Sequence, residues 1–80
     1  MKIPRDVSGA EIVRKLKVFG YSPTRQTGSH IRVTTQEFGE HHLTVPNHDP
    51  VRLGTLNNIL SDVAAHFQMD RDKVLAKLFE

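Results

Sequence analysis

"HIRVTT" at residues 30–35, "QEFGE" at 36–40 and "HHLTV" at 41–45 decide the fold. In the first piece apolar and polar residues alternate strictly. Ile31 and Val33 fall on one face, and His30, Arg32 and Thr34 fall on the other. A period of two is the mark of a strand with one buried face. The third piece repeats it, with Leu43 and Val45 toward a core and His42 and Thr44 away. The middle piece reads as a hairpin loop in which Gly39 is free to adopt positive φ. A slip of one residue would turn Ile31 and Val33 out into water, so burial is expected to hold the register.

Toward the C-terminus, Pro46 ends the pairing. "PNHDPVRLG" at 46–54 is a loop by its Pro, Asn, Asp and Gly content. "TLNNILSDVAAHF" at 55–67 then places Leu56, Ile59, Leu60, Val63, Ala64 and Phe67 along one helical stripe. "QMD" interrupts it, and Asp70 is a good N-cap for a last helix carrying Val74, Leu75, Leu78 and Phe79. Toward the N-terminus, "TG" at 27–28 is a turn, and Tyr21 to Gln26 reads as a short first strand. Pro23 cannot donate to a ladder, so this strand should be an edge or irregular. Gly20 supplies a left-handed stop to a helix over 9–19 with Ile12, Val13, Leu16 and Phe19 at helical spacing. Ser8 and Glu11 fit a capping box at its start, with residues 1–7 as a lead-in. The resulting order is α-β-β-β-α-α. It predicts an α+β, two-layer sandwich: a three-stranded antiparallel sheet with helices on one face and the other face open to solvent. One domain over 1–80 is expected.

Composition narrows the functional classes. Eighty residues bury only roughly 60–65% of their unfolded surface, so a cleft enclosing a large cofactor is not expected. The chain has no cysteine, which removes disulfides and thiolate metal sites and is compatible with a reducing, cytoplasmic location. No wholly apolar run exceeds three residues, so neither a membrane span nor a signal peptide is predicted. The net charge is +2. Residues 1–57 hold eight Lys/Arg against five Asp/Glu, while residues 58–80 hold three against four. The basic excess thus lies with the first helix and the strands, a distribution that leans toward a polyanion partner.

The polar face of the sheet is where chemistry could sit. His30 points away from the core beside Arg32 and, in the expected hairpin register, His42. An ordinary imidazole titrates near 6.5 and serves as base or acid near neutrality. A guanidinium fork matches phosphate oxygens. RNA carries its own nucleophile, the 2′-hydroxyl, so a base and a cation suffice to cleave it with no metal and no cofactor. Arg25 and Arg32 are the candidates for phosphate contacts, and the backbone N–H groups of Gly28 and Ser29 lie close enough to His30 to add to them. The alternative readings are plainer. Surface histidines are common, and solvated arginines more so. His41, His42 and His48 could hint at a metal, but adjacent strand residues face opposite ways, so no metal site is expected. His66 near a helix end reads as a cap suited to the dipole. Phe38 at the hairpin tip is either a stacking residue or a lone exposed aromatic.

Taken in order, "RQTGSH" (25–30), the short hairpin, "TVPNH" (44–48) and "GTLNNIL" (54–60) resemble the HicA family of small toxins, also described as YcfA-like proteins. The lead-in "PRDVSGAEIVRKL" (4–16) and the closing "DRDKVLAKLF" (70–79) are similar to longer members. The resemblance implies a fold like that of double-stranded RNA-binding domains. It implies an mRNA interferase, a ribonuclease toxin that halts translation and is held inactive by a HicB-type antitoxin. The histidine of the family's Gly-Ser-His motif corresponds to His30, the catalytic candidate. Gly28 and Ser29 match the rest of that motif, Arg25 and Gln26 the stretch before it, and Pro46 and His48 the Val-Pro-x-His segment. Gly54, Thr55 and Leu56 match the start of the following helix. The expected RNA-contacting set is therefore Arg25, Gly28, Ser29, Arg32, His42 and His48. Two acids, Glu37 and Glu40, stand in a hairpin where many members carry a basic turn. A non-catalytic RNA-binding module and a partner-docking protein remain as rival readings of the same fold.

Overall fold

The structure, a computed structural model, describes residues 3–80; Met1 and Lys2 of the lead-in lie outside it. Helix α1 (Gly9–Lys15) tightens into a 3-10 turn (Leu16–Phe19), followed by strands β1 (Ser22–Thr27), β2 (His30–Thr35) and β3 (His41–Pro46) and helices α2 (Leu53–Phe67) and α3 (Arg71–Phe79). The sheet is antiparallel in the order β1-β2-β3. It is an α+β fold with helices over one face, compatible with the double-stranded RNA-binding architecture. Val33, Leu43 and Val45 are 0%, 5% and 0% exposed. They pack with Ile12, Leu16 and Tyr21 and with the α2 stripe Leu56, Ile59, Leu60 and Val63, while Val74, Leu75 and Leu78 close the core from α3.

Local signals account for most boundaries. The Ser8 hydroxyl accepts the Glu11 N–H at 3.1 Å, starting α1; Glu11 makes no return bond, so only half of the expected box forms. Gly20 ends the 3-10 turn at φ 83°. Helix α2 begins two residues earlier than its apolar stripe indicates, because Arg52 takes an extended N-cap conformation and its carbonyl accepts from Leu56. Its stop is Gln68 in the left-handed region, with the Met69 N–H reaching back to Ala64 at 2.9 Å. No glycine marks that stop, which falls where "QMD" interrupts the apolar stripe. Asp70 has the backbone of an N-cap, but its side chain makes no capping bond.

The expected irregularity of the first strand is a bulge. Pro23 pairs with Val33, yet Arg25, not Thr24, pairs with Arg32. One extra residue re-aims a strand. Simple alternation from the buried Tyr21 would send Arg25 toward the core; the bulge places it on the solvent face. A two-residue turn, Gly28-Ser29, then joins the Thr27–His30 pair. Gly28 has φ +58° while Ser29 keeps negative φ, the pattern of a type II′ hairpin turn that favours glycine first. The loop after β3 is tied down at both ends. Asn47 donates to the Ser29 carbonyl, Gly9 to the His48 carbonyl and Val51 to the Val7 carbonyl.

His41 and His66 form a latch between the β2–β3 hairpin and α2. Their rings stack at 4.4 Å and 10°. His66 Nε2 donates to the Glu37 carbonyl at 2.9 Å, so this residue joins two elements, where the sequence indicated a helix cap. Burial, then the Asp62 charge, pushes the Tyr21 phenol up to about 12. It stays protonated and can donate to His41 Nδ1, 2.8 Å away. Burial first, then His66, holds the His41 imidazole below its usual 6.5; His42 acts the same way and Asp62 opposes.

Two outcomes follow. Gly9→Ala should lower stability by about 1–3 kcal/mol in urea unfolding, because a methyl there meets the Pro46 carbonyl and Asn47 backbone. The second concerns pH. An unfolded His41 accepts a proton below about 6.5 that the folded ring resists, so its contribution is complete above that pH and is lost as pH falls through it. His41→Gln, whose amide oxygen can still accept from Tyr21, should flatten the decline of the urea midpoint as pH falls below about 6.5.

Candidate functional site

The open face of the sheet carries a shallow groove of about 360 Å³ lined by Arg25, Thr27, His30, Arg32, His42 and Thr44. Register explains the grouping. Thr27 pairs with His30, Arg25 with Arg32, Arg32 with Thr44, and Thr34 with His42, so successive outward side chains form rungs across three strands. Of the residues expected to form the site, Arg25, His30, Arg32 and His42 come together here. Gly28 and Ser29 form the adjoining turn, outside the lining, and their roles in the structure are the turn itself and a bond to Asn47. His48 is exposed on the following loop, also outside the groove; its carbonyl, not its ring, is the atom engaged.

The Arg25–Arg32 rung is electrostatically unusual. Like charges directly opposite each other on a sheet destabilise it. Among the described residues the one ion pair joins His42 and Glu40, and neither arginine has a carboxylate partner. Both guanidiniums line the groove and carry donors only, a chemistry suited to an anion with several oxygens.

The two groove histidines differ. His30 is exposed, and the side-chain hydrogen bonds made by histidines belong to His41, His42 and His66. Both His30 nitrogens are therefore open to a ligand, and as the first residue of β2 it is paired on both sides, with Thr27 and with Pro46. His42 is engaged on both sides. Nε2 meets Glu40 Oε2 at 3.0 Å, and Nδ1 meets Thr34 Oγ1 at 2.8 Å. Thr34 Oγ1 in turn lies 2.8 Å from Thr24 Oγ1. A Gln36 side-chain hydrogen bond, then His42, holds the Glu40 carboxyl below its ordinary value, with a smaller contribution from Arg32. Glu40 thus remains an anion and fixes the His42 Nε2–H.

The sequence pattern marks this chain of contacts only faintly. Its signal is weak: Glu40 precedes His42 by two residues, the spacing that puts both on one face of a strand. Phe38, at the hairpin tip, is 82% exposed and leans its edge on Phe67 at 5.6 Å, outside the groove. Among the described residues no group of three or more His, Asp or Glu side chains is placed to hold a metal ion, and no helix is long and apolar enough to cross a membrane.

Comparison with known proteins gives one assignment. No curated protein and no solved structure matches the chain. The family described as the HicA toxin of bacterial toxin-antitoxin systems matches residues 9–64. That span opens on the first residue of α1, includes the entire sheet and every residue lining the groove, and ends inside α2. With most of its length so matched, the chain belongs to the HicA toxin family.

Proposed function

We propose that this toxin is a metal-independent endoribonuclease, an mRNA interferase, in which His30 is the general acid–base group. The observation that carries the reading is an exposed imidazole with no hydrogen bond to its ring beside an arginine pair in which neither guanidinium makes an ion pair. A phosphodiester seated between Arg25 and Arg32 would have its non-bridging oxygens held by the guanidiniums. His30, on the neighbouring rung, would take the proton of the adjacent 2′-hydroxyl. The O2′ attacks phosphorus, the P–O5′ bond breaks, and the departing oxygen receives a proton from imidazolium or water. The product ends are a 2′,3′-cyclic phosphate and a 5′-hydroxyl. No enclosed pocket is required, because the nucleophile arrives with the substrate. An antitoxin partner follows from the family. For a HicB-type protein to silence this site, covering the groove and so denying RNA access is the simplest mode. Cytoplasmic mRNA is the proposed target.

A positioned acid–base group contributes ~10²–10⁴ in rate. Purified His30→Ala should therefore cut RNA at least ~100-fold more slowly with an unchanged Tm, since truncating an exposed ring leaves no cavity. Cleavage by this variant at the parent rate refutes the assignment. RNA that is bound by the parent chain yet intact after long incubation would instead identify a binding module. Arg25→Ala and Arg32→Ala should each weaken RNA binding and reduce the slope of log K against log salt by about 0.7 on single strands.

A further inference from the structure

We infer that this chain pairs with a second copy of itself, the β2–β3 hairpin tip of one molecule seating Phe38 in an apolar cleft at the start of α2 in the other. The tip, residues 36–40, offers an aromatic ring and negative charge. Phe38 is 82% exposed and stands at φ 57°, a left-handed backbone that bulky residues rarely adopt. Glycine or asparagine would meet that conformation with less strain. A strained backbone that holds an apolar ring out in solvent points to a use for the ring. Glu37 and Glu40 lie to either side of it in the chain, and the tip contains no Lys or Arg. Such a surface repels a polyanion and suits a protein.

The complementary surface is on this same chain. A cleft of about 260 Å³ lies between the lead-in and the start of α2; its lining includes Pro50, Leu53 and Leu56, two arginines, Arg5 and Arg52, and one acid, Asp6. The lead-in and the loop before α2 are tied by the Val51 N–H, which donates to the Val7 carbonyl at 2.8 Å. Leu53 is 40% exposed; it and Phe38 are two of the three large apolar side chains left in solvent among the described residues. Among the described residues Arg5, Arg52 and Glu37 make no ion pair. The tip thus sets two acids beside an apolar ring, and the cleft sets an excess of cation beside apolar walls.

Position makes the contact intermolecular. Leu53, the first residue of α2, lines the cleft, and Phe67, its last, touches Phe38. At 1.5 Å per residue the helix holds the two surfaces about 20 Å apart, so a tip cannot reach its own cleft. A two-fold pair makes the contact twice and closes, whereas a head-to-tail chain makes it once per link. An aromatic side chain buries about 150–250 Å², against about 1,200 Å² or more for a stable interface. The pair is therefore a weak, concentration-dependent dimer. Neither surface includes a residue that lines the groove around His30.

Sedimentation velocity on the full chain from about 10 µM to 1 mM tests this. The parent should shift from monomer toward dimer with concentration, and less so in high salt, which screens the carboxylate–arginine attraction. Phe38→Ser, which removes the ring, and a double Arg5→Glu, Arg52→Glu variant, which reverses the cleft charge, should each weaken association at least about tenfold. Each variant keeps one surface intact, so an equimolar mixture should associate more than either alone, though less than the parent. A parent chain that stays monomeric at the highest concentration overturns the inference. So does Phe38→Ser dimerising as the parent does, or a mixture no more associated than its separate components.

Discussion

The structure depends on burying one face of a three-stranded sheet under helices that have few apolar residues to spare. Val33, Leu43 and Val45 can enter the core only in one register. Displacing β2 by a residue would exchange Ile31 and Val33 for members of the polar set His30, Arg32 and Thr34, an exchange that no chain of this size can absorb. The hydrophobic requirement therefore dictates where the polar side chains go. The groove is the complement of the core, and its residues share a face because their neighbours in sequence are inside.

That dependence explains what could be read in the sequence. Strands β2 and β3, the Gly20 stop, the Ser8 cap and the α2 and α3 stripes are all statements about local pattern, and local pattern carries them. His30, Arg32 and His42 follow from alternation alone. The features that escaped depend on contacts between distant segments. Arg25 reaches the solvent face through a bulge that Pro23 makes permissible but does not locate. The early start of α2 is set by backbone geometry without the usual marker residue. By sequence His66 has the position of a helix cap, because nothing in its own helix announces the Glu37 carbonyl it meets.

Five histidines in so short a chain invite a single explanation, and the structure gives several. His41 is a half-buried partner of Tyr21 and His66, a tie between layers. His42, one residue on, faces the opposite way and is held by Glu40 and Thr34. His48 lies on a loop beyond the groove. His30 alone lines the groove with its ring uncommitted. Residue type identifies candidates for acid–base work; the hydrogen bonds already made by each ring are what separate them.

The extra residue in β1 has a consequence for how this scaffold can vary. Because Thr24 and Arg25 together oppose a single step of β2, the positive character of the groove hangs on the number of residues between Tyr21 and the Gly28 turn, as well as on their identity. Removing one residue from that segment would keep the composition of the strand nearly intact while turning its guanidinium toward the helices. Length variation at this one edge is therefore a route by which a domain of this shape could lose its attraction for polyanions and keep its fold.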